Sequence, residues 1–422
     1  MTGISLGYFM VLLDTTVLSV AEPDLATSLH TSMAGLQWAI TGYTVAFASL
    51  LSSVAPGLWA LLLLRAVSGA AAAACVPASM AMIARLCPEP AARARAISVW
   101  AAISGAAVAA GPIAGGALVG AAGWRAVFLV NVPIALVVLA LTCTRSVRCP
   151  RGDRRVDWPA QLAAVAVLAL LTDALIAAGA GNWGHTAWSS AGLAVAAVAF
   201  TVLERRSQAP VVNRALLRSA QIRAGLLAAA AANFALAGAL FVLPLLLQRE
   251  RQLSALESGL AFLPLTVPFA ANPPLTGRIV ARTGPRPPIL AGLALLTAGG
   301  TVLACTVFAE GAYPWLALGL LLTGFGISYV LPALVAAVVS AAPPGTAGAA
   351  GGLLNAVRQI GATLGVALMG AAASAGTGWS LLLSAVCCAL AWLAFTRTHP
   401  ITGPSRRARP CTRPRARGRG RR

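Results

Sequence analysis

The sequence predicts an all-α membrane protein, a helical bundle of two pseudo-symmetric halves with an extra helix pair between them. Three observations lead there. Apolar residues make up 59% of the 422-residue chain and charged residues only 10%, whereas a soluble domain carries about a quarter charged residues. The apolar residues fall in long blocks, each sufficient to cross a hydrocarbon core of roughly 30 Å as a helix. Arg-rich loops alternate with nearly uncharged ones, the pattern that cytoplasmic and external loops produce. A β-barrel would instead show short segments of alternating polarity.

Taken in order, about 13 transmembrane segments are expected. They lie near residues 5–22, 36–54, 58–84, 96–119, 125–143, 159–180, 188–203, 224–247, 258–279, 288–308, 314–338, 348–372 and 378–396. The first block starts almost at Met1, contains Asp14 and lacks the basic stretch of a cleavable signal peptide, so it reads as the first membrane helix. Arg85, Arg93 and Arg95 share one loop, Arg145 to Arg155 a second, Arg205 to Arg223 a third, and Arg278, Arg282 and Arg286 a fourth. The loops around Gly123, Gly181 to Ser189, Gly311 to Tyr313 and Gly376 to Gly378 are nearly uncharged. The Arg-rich loops and the C-terminus therefore face the cytoplasm. Arg249 to Glu257 is mixed and reads as a solvated loop.

The chain also repeats itself. A shift of 255 residues lays Ser68-Gly69 on Thr323-Gly324, Pro77-Ala78 on Pro332-Ala333 and Pro88 on Pro343. Such repeats are a mark of transporter architecture, with substrate held between the halves. Glu257 lies 67 residues before Gly324, but Leu36 lies only 33 before Gly69, a deficit of about 34 residues after Tyr43. That is about one span and a loop. The expected organisation is an N-terminal half over 1–150, its second and third helices fused by the deficit. A linker helix pair with a cytoplasmic loop follows over 151–223, then a C-terminal half over 224–396 and an Arg-rich, disordered tail over 397–422.

Composition excludes other classes. All 31 basic residues are Arg, and the net charge is +20. Most of the Arg sit in loops and in the tail, which suits membrane topology rather than nucleic acid. The eight Cys show no ligand spacing. Cys75, Cys143, Cys305, Cys387 and Cys388 lie within apolar blocks and are expected to pack. His30, His185 and His399 are scattered, so no metal is expected. No phosphate-cradling loop is present, which excludes ATP-driven pumping, and no cofactor or catalytic cluster is expected. The tail reads either as a binder of anionic lipid or as an out-of-frame extension.

The motifs resemble a known family. Leu13-Asp14-Thr15-Thr16-Val17, followed by Ala21 and Pro23, resembles the first-helix signature of the major facilitator superfamily, and more narrowly of its fourteen-helix drug:proton antiporters. Trp38, Thr41 and Tyr43 fit the second helix, and Arg65 with Gly69 the fourth. Gly111-Pro112-Ile113-Ala114-Gly115-Gly116 fits the antiporter motif of the fifth, preceded by Gly105. Trp124 through Pro133 fits the sixth, and Asn355, Arg358, Gln359 and Gly361 the thirteenth. Ser19, Glu22 and Ala107 depart from the family pattern. The cytoplasmic loop between helices two and three, held in this superfamily to help gate that side, is absent together with helix three. Only its second-half echo remains, as Gly277, Arg278, Arg282, Gly284 and Arg286.

Each candidate carries two readings. A charge at mid-span costs about 2.5–3.5 kcal/mol on insertion scales. Asp14 therefore either faces a polar cavity, where a carboxyl takes and releases a proton near neutral pH, or sits at a helix end by the interface. Arg65, beside Leu61 to Leu64, either pairs with an acid in a cavity or snorkels outward along its stem. The resemblance implies proton coupling through both. Gly105, Gly111, Pro112, Gly115 and Gly116 either form the bend of a gating helix or serve ordinary small-residue packing. Trp38, Tyr43, Asn355, Arg358 and Gln359 either line a substrate path or hold helices together. Asp173, in the extra helix pair, reads as a polar contact between helices.

The expected function is proton-coupled export of hydrophobic or cationic drug-like compounds or antibiotics across the cytoplasmic membrane. The partners would be a small-molecule substrate, protons and the bilayer, with no nucleic acid and no required oligomer. The deficit supports a second reading, a transport-inactive remnant of such an exporter. Carriage of another small solute is a third.

Overall fold

The computed structural model describes residues 157–207, 214–342 and 347–398 without a break. Before them it describes a scatter of positions, of which 63–69, 113–123 and 126–142 are the longest runs. Among the described residues every regular element is a helix. We number them α1 (Ile113–Ala122), α2 (Asn131–Thr142), α3 (Trp158–Gly179), α4 (Trp183–Arg206), α5 (Ala220–Leu245), α6 (Ala255–Ala261), α7 (Leu263–Ala271), α8 (Pro273–Thr283), α9 (Arg286–Phe308), α10 (Tyr313–Ser340), α11 (Ala347–Ala373) and α12 (Thr377–Thr396). Seven of the described helices are long and apolar enough to cross a membrane.

Local chemistry sets the boundaries. Asp157 caps α3 by accepting the Ala160 N–H at 3.2 Å, with Pro159 in the first turn. Asn182 caps α4 through the His185 N–H at 3.2 Å, so that helix starts five residues ahead of the expected span. Ser219 caps α5. Ser254 and Glu257 form a reciprocal capping box at α6. Each cap satisfies an amide that the first turn leaves without a partner. The Asp157 carboxyl is held below its ordinary value, first by the Ser207 hydroxyl at the far end of α4 and then by the Ala160 N–H. The helix pair is thus closed at that end by a contact that is present above the ordinary carboxylate range and is lost as pH falls through the lowered value.

Three expectations need correction. The span expected over 258–279 is not one helix but three pieces, α6, α7 and α8, broken at Phe262 and Asn272. Pro264, Pro268, Pro273 and Pro274 explain this, because each lacks the N–H that a continuous helix needs and crowds the preceding turn. The segment Arg249 to Glu257 is not simply a solvated loop. α5 contains Pro244 and passes into a π-helical turn over Leu246–Glu250. From there Arg251 donates to the Gly311 carbonyl at 2.6 Å, and Glu250 accepts from the Thr377 hydroxyl at 2.7 Å. Three inter-helix connections are joined by these two bonds. Cys305 is exposed rather than packed, while Cys388 is buried.

Helices α5 to α12 pack as one unit. α5 lies along α11, α9 along α10 and α12, and α7 against α10. Its core includes two clusters, one with Ile289, Leu293, Leu296, Val330 and Leu334 and the other with Leu243, Phe262, Leu265, Leu303 and Leu381. Glycines permit the closest approaches. A side chain at Gly292 would lie 2.6 Å from the Gly326 carbonyl oxygen, and one at Gly299 would lie 2.9 Å from that of Gly319. These glycines are seven residues apart on both α9 and α10, so the antiparallel pair touches backbone to backbone twice on one face. Small residues at such faces are the usual basis of helix association in lipid. The pair α3–α4 meets α11 near Gly179 and Ala371. It otherwise exposes apolar side chains, with Trp158, Trp183 and Trp188 near its ends, where amphipathic rings suit a membrane interface.

Candidate functional site

The break in the seventh-to-eighth helix region opens a cleft of about 790 Å³ between α7 and α10. One wall comes from Pro264, Val267, Pro268 and Ala271, the other from Ala317, Leu318, Leu321 and Phe325. No charged side chain is among its described lining residues. Asn272, at the joint between α7 and α8, is the polar lining residue. It belongs to a buried network in which its Nδ2 donates to Ser328 Oγ at 2.8 Å, Thr276 Oγ1 donates to the Ser328 carbonyl at 3.0 Å, and Ser328 Oγ donates to the Phe325 carbonyl at 2.8 Å. Irregular backbone at membrane depth is stable where it lines a cavity or is enclosed by protein. The Ala-Ala-Asn-Pro-Pro stretch at 270–274 was the sequence signal for this site, and a hydropathy reading passes over it.

The residues singled out from the sequence do not converge on the cleft. Asp14, Trp38, Tyr43, Gly105 and Pro112 lie outside the described residues. Arg65 stands on the helical stretch 63–69 and is buried, as is Ser68 one turn on. In the 255-residue repeat Ser68 and Thr323 correspond and are equally buried, but Arg65 corresponds to Leu320. Gly111, Gly115 and Gly116 are buried around the start of α1. Asn355, Arg358 and Gln359 share one stretch of α11, half-buried to exposed, and are not cleft residues.

The loop-motif echo divides. Gly277, Arg278 and Arg282 are exposed on α8, and Gly284 ends that helix in the left-handed region at φ 81°. Arg286 is half-buried and reaches a different partner. It donates to the Thr396 carbonyl at 2.9 Å and also to the Thr398 carbonyl, and it lies 5.9 Å over the Phe395 ring. A cation there satisfies the terminal carbonyls of α12 and opposes the negative end of its dipole. Arg286→Ala is expected to loosen the end of α12 without touching the cleft, read as faster amide exchange over residues 393–398 and little change near Asn272.

Asp173 forms the inter-helix contact expected of it. It accepts from His185 Nε2 at 2.8 Å and from the Ser189 hydroxyl, both on α4. Among the described residues no group of three or more metal-type ligands gathers.

Comparison with known proteins follows from this fold. The family model described as the Major Facilitator Superfamily matches at residues 44–366 and again at 225–417. The chain belongs to the Major Facilitator Superfamily. It is 32% identical to the multidrug resistance protein Stp of Mycobacterium tuberculosis over 88% of this chain and 74% of that protein. It is 31% identical to the tetracenomycin C resistance and export protein of Streptomyces glaucescens over 87% and 74%. It is 30% identical to the methylenomycin A resistance protein of Streptomyces coelicolor over 96% and 93%. That last alignment runs to 442 positions, more than the 422 residues of the chain, so this relative carries residues with no counterpart here. Among solved structures, a bacterial homologue of the human lysosomal transporter Spinster superposes with a TM-score of 0.62 at 17% identity, over 94% of this chain and 96% of that one. A POT family transporter superposes with a TM-score of 0.65 at 13% identity, over 93% and 86%. These last two likenesses are of fold. A superfamily member of this kind is a multi-pass membrane transporter of small molecules, with the apolar helices to match.

Proposed function

We propose that the chain is a proton-coupled secondary exporter that carries hydrophobic or cationic drug-like compounds or antibiotics out across the cytoplasmic membrane. The uncharged cleft between α7 and α10 carries this reading, since apolar walls around a single carboxamide suit an apolar solute and not a sugar or a phosphate. Relatives named for multidrug resistance and for resistance to tetracenomycin C and methylenomycin A support it. Asp14 and Arg65 would couple the proton. The glycine-rich stretch Gly105, Gly111, Pro112, Gly115 and Gly116 would bend between the halves. Gly277, Arg278, Arg282 and Gly284 would border the cytoplasmic side, and Trp38, Tyr43, Asn355, Arg358 and Gln359 would border the substrate path. Residues 1–150 and 224–396 would form the two halves, joined by the 151–223 helix pair and followed by the 397–422 tail. The Arg-rich loops support a cytoplasmic C-terminus.

Cells expressing the chain are expected to accumulate less ethidium than cells carrying an empty vector. Equal accumulation would sink the exporter reading and favour the second one, a transport-inactive remnant. That second reading draws on the deficit of about 34 residues after Tyr43 and on the longer aligned relative. Reporter fusions at Met1, Pro56 and Pro150 map the topology. An external Pro56 and a cytoplasmic Pro150 are the expected results.

A further inference from the structure

Asn272 is only 7% exposed and yet lines the cleft. Its amide orientation follows from its neighbours. Ser328 Oγ has one proton, which it gives to the Phe325 carbonyl at 2.8 Å, so toward Asn272 it can only accept. The nitrogen of the carboxamide must therefore face Ser328, and it also points at Thr276 Oγ1 at 3.4 Å. Thr276 in turn donates to the Ser328 carbonyl. Both hydrogens of the amide are directed into the protein. Its oxygen Oδ1 takes part in no hydrogen bond among the described residues, and it is not one of the side-chain atoms sealed away without a partner. It is left on the cleft side. A buried carbonyl oxygen of this kind is stabilised by a donor and penalised without one.

The backbone adds an acceptor of the same sign. Pro268 has no N–H, so the carbonyl of the lining residue Pro264 has no helical donor four residues on. The polar character of the cleft is thus all acceptor, set in apolar walls without a described carboxylate. A cation entering it would lose water and find no opposite charge. A neutral molecule with a hydroxyl or an N–H would lose little and gain a bond.

We infer that the cleft between α7 and α10 is a subsite for neutral, largely apolar molecules bearing an O–H or N–H donor, and that Asn272 Oδ1 accepts that hydrogen bond. This rests on the exporter reading and deepens it by naming the neutral, donor-bearing class that this subsite takes.

The test uses the full chain in efflux-deficient cells, with oestrone, which has a single phenolic donor, its phenolic methyl ether, which has none, and ethidium as a cation. The wild type is expected to export oestrone in preference to the ether by roughly five- to tenfold. Asn272→Leu, similar in volume and without the oxygen, is expected to remove that preference. Leu318→Trp, which narrows the cleft and leaves the network intact, is expected to reduce export of both. Size-exclusion of the purified proteins reports folding. Should Asn272→Leu fail to fold, Asn272→Ala, which removes the acceptor and adds no bulk, takes its place and is expected to lose the preference as well. A preference that survives loss of the carboxamide overturns the inference. So does export of ethidium without oestrone, which leaves the exporter reading standing. Export of neither compound overturns both.

Discussion

Gly361→Ala is expected to destabilise the protein by about 1–3 kcal/mol, the range for overpacking a filled interior, and to fall at its upper end. A Cβ at Gly361 would lie 2.7 Å from Ala230 Cα, and one at Gly365 would lie 2.9 Å from Phe234 Cα. The obstacles are backbone atoms, which cannot rotate away as a side chain tip can. Both contacts join residues 131 apart on parallel helices, and Gly238 continues the series toward Met369. One face of α11 thus rides directly on the backbone of α5, at the four-residue spacing that lets membrane helices cross closely. Gly351 stands on the same helix with nothing within 4 Å. Gly351→Ala meets no obstacle and gains helix propensity of about 0.8–1 kcal/mol. Opposite shifts of the two single variants, read as midpoints of thermal unfolding in detergent, are the expected result. A Gly361→Ala protein as stable as the wild type would show that α5 and α11 separate at no cost. The sequence reading took Gly361 as part of a family motif. Its place in the fold supplies the physical reason for a glycine there.

Most of the bundle was legible because lipid leaves few solutions. A stretch of apolar residues must satisfy its own amides, so it is a helix, and its ends are marked by caps such as Asp157, Asn182 and Ser254. Hydropathy does not register continuity, however. Pro264, Pro268 and Pro273 are apolar residues, and a span containing them scores like any other while its helix is broken in two places. The π turn over Leu246–Glu250 escaped for the same reason. Long-range partners escaped for another. Arg286 meets carbonyls 110 and 112 residues away. His185 meets Asp173 across a hairpin, which spacing on one helix does not disclose. The candidate site itself was the hardest to read. Its polar side chain is a single Asn between alanines and prolines, and its meaning depends on Ser328, 56 residues further on.

Asp14→Asn is expected to abolish proton-driven export, lowering initial efflux of ethidium to the rate of cells without the chain. The argument is one of charge. A secondary exporter needs a group that binds a proton from one side and releases it to the other. Among the described residues the cleft offers no such group. Arg65 is buried, but a guanidinium does not give up its proton in proteins, so it can bias a neighbouring acid and cannot carry the proton itself. The repeat makes the point sharper. The second half fills the position equivalent to Arg65 with Leu320, 2% exposed. Packing there asks only for an apolar residue, and the first half has put a charge in its place. Such a charge persists in a membrane where it meets an acid or a cavity, and Asp14 is the carboxylate that the sequence places in the middle of a span of that half. Asn has the size and polarity of Asp and cannot exchange a proton, so the variant should fold and bind ethidium yet fail to pump it against its gradient. Asp14→Glu should retain part of the activity. Arg65→Leu should leave the fold intact, since Leu is the residue of the equivalent position, while shifting the pH dependence of export. Efflux by Asp14→Asn within twofold of the wild type would remove Asp14 from the proton path, and an unchanged pH profile in Arg65→Leu would do the same for Arg65.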